Sequence, residues 1–505
     1  MRNFFKTVAI VTIFSVCEKF LGFLYRIYLS RTIGAEGIGM YQVALSVFAL
    51  LLTITCSGTP ITVSRLMTKY RAEGQFEKIK KVVTAGITLT LAIALPIALT
   101  FMLFGKHFTF LFADERCLNI FLVVIPGLIF TSVYAVLRGV FWGNKDFLPY
   151  SVTELLEEIC MIIVGIVLIE TATDVYDGSA KAGVAVLISY IFSFTLSTTI
   201  FFLRKNKLKN PASELKPLLK SAMPITAMRT ATSITSSLMS VILPLRLIAF
   251  GYTKTNALSL FGSAVGQAFP LLTIPITLIG SFILVLVPEI SENYYGKNYY
   301  YLKRDVEKAI KFSTMLTCFF VPIFTVCGKE IGTLVFGNAE AGSFVSFSAF
   351  LMPLMSLSTV STSILNSIGF ENRTLFYYVL GGILMLLCIW FLPAVFGIYS
   401  LVAGFTCLYG LTTVLNLILL NKKCVVKPNY LGFLSYSFSF ILPSSLIGIM
   451  LEKLLILPLG LFFTFAVCSM LIFAFNLALY FGFELISINA VIKRLPILKN
   501  KKSTT

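Results

Sequence analysis

Apolar residues form long stretches of the chain, separated by short polar segments that carry most of the charge. Each stretch has the length of about 20 residues that a helix needs to cross a bilayer, and none shows the alternation of a membrane β-barrel strand. The pattern therefore predicts transmembrane helices. Fourteen stretches fall near 7–30, 42–64, 82–104, 118–140, 151–170, 182–203, 222–250, 258–288, 309–327, 343–366, 374–395, 398–420, 431–451 and 456–483.

Two of the stretches, 222–250 and 258–288, are longer than one crossing requires. Prolines interrupt both of them, at Pro224, Pro244, Pro270 and Pro275. Because proline lacks an N–H group and clashes with the preceding turn, we expect bends or broken turns in these two segments.

The composition excludes most classes of soluble protein. Hydrophobic residues make up 57% of the 505 residues and charged residues only 13%, against roughly 25% charged residues in soluble proteins. So few charges cannot cover a water-facing surface, which excludes a soluble enzyme, a disordered chain and a fibrous repeat. We therefore expect an all-α polytopic membrane protein with fourteen transmembrane helices.

The excess of positive charge follows the loops. Lysine and arginine total 41 residues against 23 acidic ones, a net charge of +18. The cations concentrate after the second, sixth, eighth and twelfth stretches and at the C-terminus, while the loops between hold few. Cytoplasmic loops carry such an excess, and no basic-aromatic motif points to nucleic acid. We predict that both termini are cytoplasmic and that no nucleic acid is bound.

An internal repeat divides the chain. Prolines in the second to fourth stretches recur 226 to 228 positions later in the eighth to tenth: Pro60, Pro96 and Pro126 match Pro288, Pro322 and Pro353. Six helices per copy is an even number, so both copies have the same orientation, as in many transporters. We predict two six-helix lobes in parallel pseudo-repeat, 1–205 and 206–421, and two additional helices with a basic tail in 422–505.

Two cations lie within the first stretch. Lys19 and Arg26 are seven residues apart, so they share one face of a helix. A charge at the bilayer centre costs about 3 kcal/mol on insertion scales, so such residues usually face a wet interior and here would bind an anion. The alternatives are snorkelling to the interface and, for Lys19, pairing with Glu18 of another helix or subunit.

The seventh stretch carries a polar stripe. Arg229, Ser233, Ser236 and Ser240 lie on one face at helical spacing. A hydroxyl face headed by an arginine suits a ligand rich in oxygen atoms, such as a phosphate or a sugar. The alternative for the serines is helix–helix packing through small residues.

The fifth stretch carries three carboxylates on one face, Glu154, Glu157 and Glu158. They could pair with arginines or bind a proton or cation that couples transport, and the alternative for Glu154 is solvation at the cytoplasmic interface. Arg65 and Arg138 lie at the predicted cytoplasmic ends of the second and fourth stretches. We assign them to the cavity mouth, where they contact lipid headgroups or capture the substrate.

Motifs for enzymatic chemistry are absent from the sequence. It contains no GxxxxGK[ST], GxSxG or HExxH motif. The ten cysteines are scattered without a CxxC pair, and His107 is the single histidine. We therefore expect no enzymatic activity, no metal, no cofactor and no disulfide framework.

Five segments resemble a known family. They read GFLYRIYLSRTIGAEGIGMYQ (22–42), SGTPITVSR (57–65), RGVFWGNKDFLP (138–149), LPLRLIAFG (243–251) and VPEISE (287–292). In them the chain resembles the polysaccharide-export, stage V sporulation protein B-like family of the multidrug/oligosaccharidyl-lipid/polysaccharide (MOP) flippase superfamily. The resemblance implies a two-lobed fourteen-helix fold in the bacterial plasma membrane. It also implies transfer of a lipid-linked oligosaccharide or peptidoglycan precursor to the outer leaflet.

Three hypotheses follow. In the first, an alternating-access flippase holds an anionic pyrophosphate with Lys19, Arg26 and Arg229 and sugar hydroxyls with the serine stripe, without a cofactor. In the second, a proton- or sodium-coupled exporter of drugs or metabolites uses the acidic fifth stretch, which is more acidic than the family pattern. In the third, a non-transporting scaffold binds cell-wall synthesis enzymes. In each case we expect a monomer surrounded by membrane lipids.

Overall fold

Apolar stretches form helices because inside a bilayer every backbone N–H and C=O must be satisfied within its own segment. The computed structural model describes residues 2–204, 207–423, 429–483 and 485. Over these ranges the chain contains helices and no β-strand, which confirms the predicted all-α fold. The predicted basic tail lies outside the described residues.

Seventeen α-helices occur in the described ranges, together with a π-helix and short 3₁₀ turns. The α-helices are α1 (Arg2–Cys56), α2 (Thr59–Ala72), α3 (Phe76–Phe104), α4 (Glu115–Val124), α5 (Gly127–Gly143), α6 (Phe147–Ile169), α7 (Val175–Leu203), α8 (Ala212–Ala249), α9 (Lys254–Phe261), α10 (Phe269–Tyr295), α11 (Tyr299–Phe336), α12 (Ala339–Ser348), α13 (Leu351–Ser367), α14 (Glu371–Phe391), α15 (Pro393–Phe396), α16 (Ser400–Lys423) and α17 (Leu431–Gly482). The π-helix spans Gly262–Ala268.

Among the described residues, ten helical segments are long and apolar enough to cross a membrane, and twelve if each of two bent pairs counts as one crossing. The longest segment, Val11–Ala72, covers 62 residues, about three times the length of one crossing. The polytopic character is therefore confirmed, while the number of fourteen spans stays a prediction.

Gly34 divides α1 into two helical parts. Its φ of 67° and ψ of −174° lie in a region that glycine reaches without steric cost. Beyond this break, α1 packs on α9 so closely that a Cβ atom on Gly39 would lie 2.0 Å from the carbonyl oxygen of Leu258. Helices in membranes associate through such close contacts at small residues.

A similar broken helix occurs twice in the chain. Helices α4 and α5 meet at a bend of 46°, and α12 and α13 at a bend of 61°. Each pair consists of a 10-residue helix followed by a 17-residue helix. Pro126 is the N-cap of α5, and Pro353 is the third residue of α13. These two prolines are a matched pair of the internal repeat, so the two copies of the repeat share a bent helix pair at a corresponding position.

Close contacts divide the chain into two compact units. Unit 1 comprises Met1–Gln267 and Leu386–Leu401, and unit 2 comprises Ala268–Met385 and Val402–Thr505. In unit 1, apolar side chains of α2, α3 and α5 form a core cluster. In unit 2, apolar side chains of α10, α11 and α13 form another. The predicted lobes 1–205 and 206–421 and the extra helices in 422–505 rest on the repeat and stay a prediction.

The two overlong stretches differ in regularity. Helix α8 continues through its internal prolines as one helical segment. In the second stretch, the α-helical hydrogen-bond pattern gives way to the π-helix, which ends two residues before Pro270. π-helical turns are rare and frequently occur at functional sites.

Candidate functional site

Arg26 on α1 is held by a backbone carbonyl of the π-helix. Its Nη1 donates a hydrogen bond of 2.9 Å to the carbonyl oxygen of Gly266. In an α-helix that oxygen would accept from the residue four positions later, which here is Pro270 and has no N–H. Pro270 cannot donate this bond, and the guanidinium of Arg26 donates one to the carbonyl oxygen. The carbonyl orients the half-buried Arg26 without neutralising its charge.

Glu158 on α6 lies against the same part of α1. Gly22 makes room for it, because a Cβ atom on Gly22 would lie 2.8 Å from Glu158 Oε1. Glu18, Arg26 and Lys19 interact electrostatically with this carboxylate. The structure thus brings the two predicted cations of the first stretch and one predicted carboxylate of the fifth into a single cluster, in which the Lys19 side chain is exposed.

Arg138 and Glu154 form an ion pair between α5 and α6. The distance from Arg138 Nη1 to Glu154 Oε1 is 3.2 Å, and the two side chains are 29% and 20% exposed. The guanidinium also lies 5.3 Å from the ring centroid of Trp142. The arginine assigned to the cavity mouth is thus paired with Glu154, one of the carboxylates predicted either to pair with an arginine or to couple an ion.

Glu157 is the least satisfied of the three carboxylates. Its Oε2 is buried and has no hydrogen-bond partner among the described atoms. Ser193 of α7 lies near this carboxylate, and Glu154, Glu158 and Arg138 interact with it electrostatically. A buried carboxylate oxygen without a donor is costly. This position can therefore take up a proton or a cation.

The polar stripe of α8 separates into open and packed positions. Arg229 and Ser236 are exposed, Ser233 is half-buried, and Ser240 is buried. Ser240 Oγ donates to the carbonyl oxygen of Ser236 at 3.0 Å, and Ser236 Oγ to that of Ser233 at 2.9 Å. Arg229 makes no ion pair with any residue that the structure describes. The stripe therefore presents one cation and accessible hydroxyl groups, as well as a buried serine bonded within its own helix.

The contacts of α8 run along the second part of α1. Ser237 Oγ donates to the carbonyl oxygen of Ser46 at 2.7 Å, and a Cβ atom on Gly58 would lie 2.4 Å from Thr226 Oγ1. Arg229 thus lies on a helix that contacts the part of the chain following Gly34, whereas Lys19 and Arg26 precede that break. No contact described in the structure joins Arg229 to these two cations.

Arg65 connects α2 to α8, where its Nη2 donates to Ser221 Oγ. One turn away, the Tyr70 hydroxyl donates to the buried carboxylate of Glu214 at 2.6 Å. These bonds place the predicted mouth residue Arg65 at an interhelical contact. Its side chain remains exposed, so it can also contact lipid headgroups.

Sequence reasoning did not select the tyrosines around the cluster. Tyr41 interacts electrostatically with both Arg26 and Glu158, and Tyr25 interacts electrostatically with Glu158. The Tyr25 hydroxyl is buried without a partner among the described atoms, and its ring stacks on Tyr28 at 6.2 Å. The signal that could have found them is the spacing of Tyr25 and Tyr28 around Arg26 in one helix.

The electrostatic character of the site is mixed rather than purely cationic. Carboxylates of α1 and α6 lie among cations of α1 and α5, and Tyr25 and Tyr41 interact electrostatically with Glu158. In the part of the chain that the structure describes, no three histidine, cysteine, aspartate or glutamate side chains are grouped to hold a metal ion. The arrangement can bind a charged headgroup through its exposed cations and can exchange protons at its unsatisfied carboxylate.

The chain is similar in sequence to a known protein family and to characterised proteins. A family model described as polysaccharide biosynthesis protein matches residues 4–294. Stage V sporulation protein B of Bacillus subtilis is 26% identical over 361 residues, which cover 69% of this chain and 70% of that protein. Lipid II flippase MurJ of Bacillus subtilis is 23% identical over 419 residues, 75% of each chain.

Solved structures show the same fold. A structure of lipid II flippase MurJ in an inward closed conformation has a TM-score of 0.72 at 17% identity, covering 95% of this chain and 100% of that chain. An inward-facing multidrug resistance MATE family transporter of the MOP superfamily has a TM-score of 0.67 at 14% identity, covering 80% and 95%. With more than half of its length matched by the family model, this chain belongs to the polysaccharide biosynthesis protein family and has the fold of the MOP flippases.

Proposed function

We propose that this protein is a flippase that moves a lipid-linked oligosaccharide or peptidoglycan precursor from the inner to the outer leaflet of the plasma membrane. The headgroup of such a lipid is an anionic pyrophosphate bearing sugars, and its polar groups cannot cross hydrocarbon without compensation. The similarity to stage V sporulation protein B and to a lipid II flippase supports this substrate class.

The observation that carries the proposal is the state of Arg229. It is an exposed cation inside an apolar helix, and the described residues give it no carboxylate partner. Charges are retained in transmembrane helices mainly where they serve a ligand or a pathway. Arg229 would bind the pyrophosphate together with Lys19 and Arg26, and the hydroxyls of Ser233 and Ser236 would bind sugars, whereas Ser240 is buried and bonded within its own helix.

Alternating access would proceed by movement of the predicted lobes 1–205 and 206–421 against each other, with both termini in the cytoplasm. An inside-negative potential drives an anion outward with roughly 2.3 kcal/mol per charge per 100 mV. No nucleotide or cofactor enters this scheme, and the protein would act as a monomer.

A headgroup-translocation assay tests the proposal. The full chain is reconstituted in liposomes with a fluorescent polyprenyl-pyrophosphate saccharide, and its accessibility to an impermeant quencher is followed. We expect Arg229→Ala and Arg26→Ala to lower the rate roughly tenfold or more, because each removes a charge-assisted hydrogen bond. Lys216→Ala, which removes an exposed cation at the start of α8, is the matched control. Parental rates in both arginine variants would refute the assignment.

Glu157 favours a second candidate, a proton- or sodium-coupled exporter on the same scaffold. Its buried, unpartnered oxygen is suited to a coupling ion. Under this hypothesis Glu157→Gln abolishes transport of organic cations and removes its dependence on an imposed pH or sodium gradient. Full transport of the lipid-linked saccharide by Glu157→Gln, with no transport of organic cations by the parent, would favour the flippase.

A further inference from the structure

A cavity of 290 Å³ lies at one end of unit 1, among α2, α3, α5 and the segment after α7. Apolar side chains that are themselves buried form its floor: Met67, Val83, Val140 and Phe201. Cations line its opening: Arg71, Lys80 and Lys207. Positive charge over an apolar floor suits an amphiphile with an anionic head. None of these residues belongs to the site described above.

Arg71 is oriented but not neutralised. Its Nη1 donates to the carbonyl oxygen of Gly143 at 2.8 Å, and its Nη2 donates to Asn144 Oδ1. Both acceptors are uncharged groups at the C-terminal end of α5. The guanidinium is therefore fixed at the opening of the cavity with its positive charge available to a ligand.

Lys207 lies between two anchored residues. On one side Arg204 pairs with Asp146. On the other side Lys209 pairs with Glu77, and its backbone N–H donates to Thr84 Oγ1 at 3.1 Å. Lys207 itself makes no ion pair with the residues that the structure describes. The chain is thus held on both sides of Lys207, which keeps this second uncompensated cation at the cavity.

The third cation is partly compensated. Lys80 Nζ lies 3.0 Å from Glu77 Oε1, and the same carboxylate also serves Lys209. One acid therefore faces two lysines, and the opening keeps a net positive charge once Arg71 and Lys207 are counted. The positive-inside pattern predicts that this end of unit 1 faces the cytoplasm, where anionic lipids attract clusters of basic residues.

We propose that this cavity binds an anionic phospholipid of the adjacent leaflet. The phosphate lies between Arg71 and Lys207, and the first part of an acyl chain covers the apolar floor. Phe76, which lines the cavity and is 62% exposed, continues the apolar surface outward. The volume is at the lower limit of drug-sized pockets, about 300 to 1,000 Å³, which suits a glycerophosphate and not a pyrophosphate with several sugars.

Native mass spectrometry of the full chain in detergent tests the site. The protein is titrated with phosphatidylglycerol or with phosphatidylcholine of the same acyl chains. We expect phosphatidylglycerol to bind the parent preferentially, and Arg71→Gln/Lys207→Gln to weaken this binding roughly tenfold or more. Lys216→Gln/Lys220→Gln removes two exposed cations of α8 that do not line the cavity, and should bind as the parent does.

A second variant tests the apolar half of the site. Ile79→Trp places a larger side chain in the lining without altering the charge, and should weaken binding of phosphatidylglycerol while the protein keeps its size-exclusion profile. Equal binding of both lipids by the parent would overturn the proposal. So would parental affinity for phosphatidylglycerol in Arg71→Gln/Lys207→Gln.

Discussion

Gly22 on α1 lies so close to the carboxylate of Glu158 on α6 that any side chain at position 22 would displace it. A Cβ atom there would lie 2.8 Å from Glu158 Oε1. The carboxylate owes its place beside Arg26 and Lys19 to this absent side chain. Because Oε1 ends a flexible side chain, an added methyl group should move the carboxylate and not the helix.

Gly22→Ala should therefore separate stability from transport. We expect the thermal unfolding midpoint to stay near that of the parent, while translocation of the lipid-linked saccharide falls because Glu158 is displaced within its charge cluster. Gly280→Ala is the control, since a Cβ atom at that position meets no atom within 4 Å. Parental transport by Gly22→Ala would show that the placement of Glu158 is unimportant.

Gly262→Ala, in contrast to Gly22→Ala, should lower the stability of the fold. A Cβ atom on Gly262 would lie 1.9 Å from the carbonyl oxygen of Ala35 and 2.7 Å from the backbone nitrogen of Gly39. Backbone atoms cannot rotate aside, so α9 and α1 must separate, and overpacking of this kind costs about 1–3 kcal/mol. We expect a lower unfolding midpoint in detergent, with Gly410→Ala, another glycine in open space, unchanged. An unaltered midpoint would contradict the close packing of α1 on α9.

The ion pair between Arg138 and Glu154 should show strong coupling. Removing either partner leaves a partly buried charge uncompensated, whereas removing both leaves none. In a double-mutant cycle with Arg138→Gln and Glu154→Gln, we expect an interaction free energy of about 0.5–3 kcal/mol. Reversible unfolding in mixed detergent micelles provides the measurement. Simple additivity of the two substitutions would mean that the pair contributes nothing.

Asp114, which lies before α4 and outside the spanning segments, should make stability depend on acid. Burial raises the pKa of Asp114, but hydrogen bonds from the side chain and backbone of Arg116 outweigh it and hold the pKa below its usual value. A carboxylate with a lowered folded-state pKa stabilises the fold above its unfolded pKa of about 3.9 and loses this effect as the pH falls through the folded value.

Asp114→Asn should therefore lower the unfolding midpoint at neutral pH, and the difference from the parent should shrink as the pH falls below about 4. The measurement is a series of thermal unfolding curves for both proteins in the same detergent at decreasing pH. Asp174→Asn, another N-cap substitution in unit 1, controls for the loss of a negative charge at a helix N-terminus. A constant difference between parent and variant at all pH values would rule out the linkage.

Several residues of the candidate site could be selected from the sequence because their signal is local. The helical spacing of Lys19 and Arg26, and of the three glutamates in α6, needs no knowledge of neighbouring helices. The partner of each charge could not be predicted in this way. Arg138 was assigned to the cavity mouth, and only the packing of α5 on α6 reveals Glu154 beside it. Sequence spacing likewise does not reveal that Arg229 lacks contacts with Lys19 and Arg26.

Hydropathy and charge alone determined that this is an all-α membrane protein, because the cost of placing a residue in lipid depends mainly on its own chemistry. They also identified basic residues within apolar stretches, where a charge is costly and was therefore selected as a candidate for ligand binding. The tertiary structure decided which groups meet: the Gly266 carbonyl and Arg26, Gly22 and Glu158, the cavity and Lys207. Such contacts join distant parts of the chain through helix packing, and packing depends on the shapes of all the helices together.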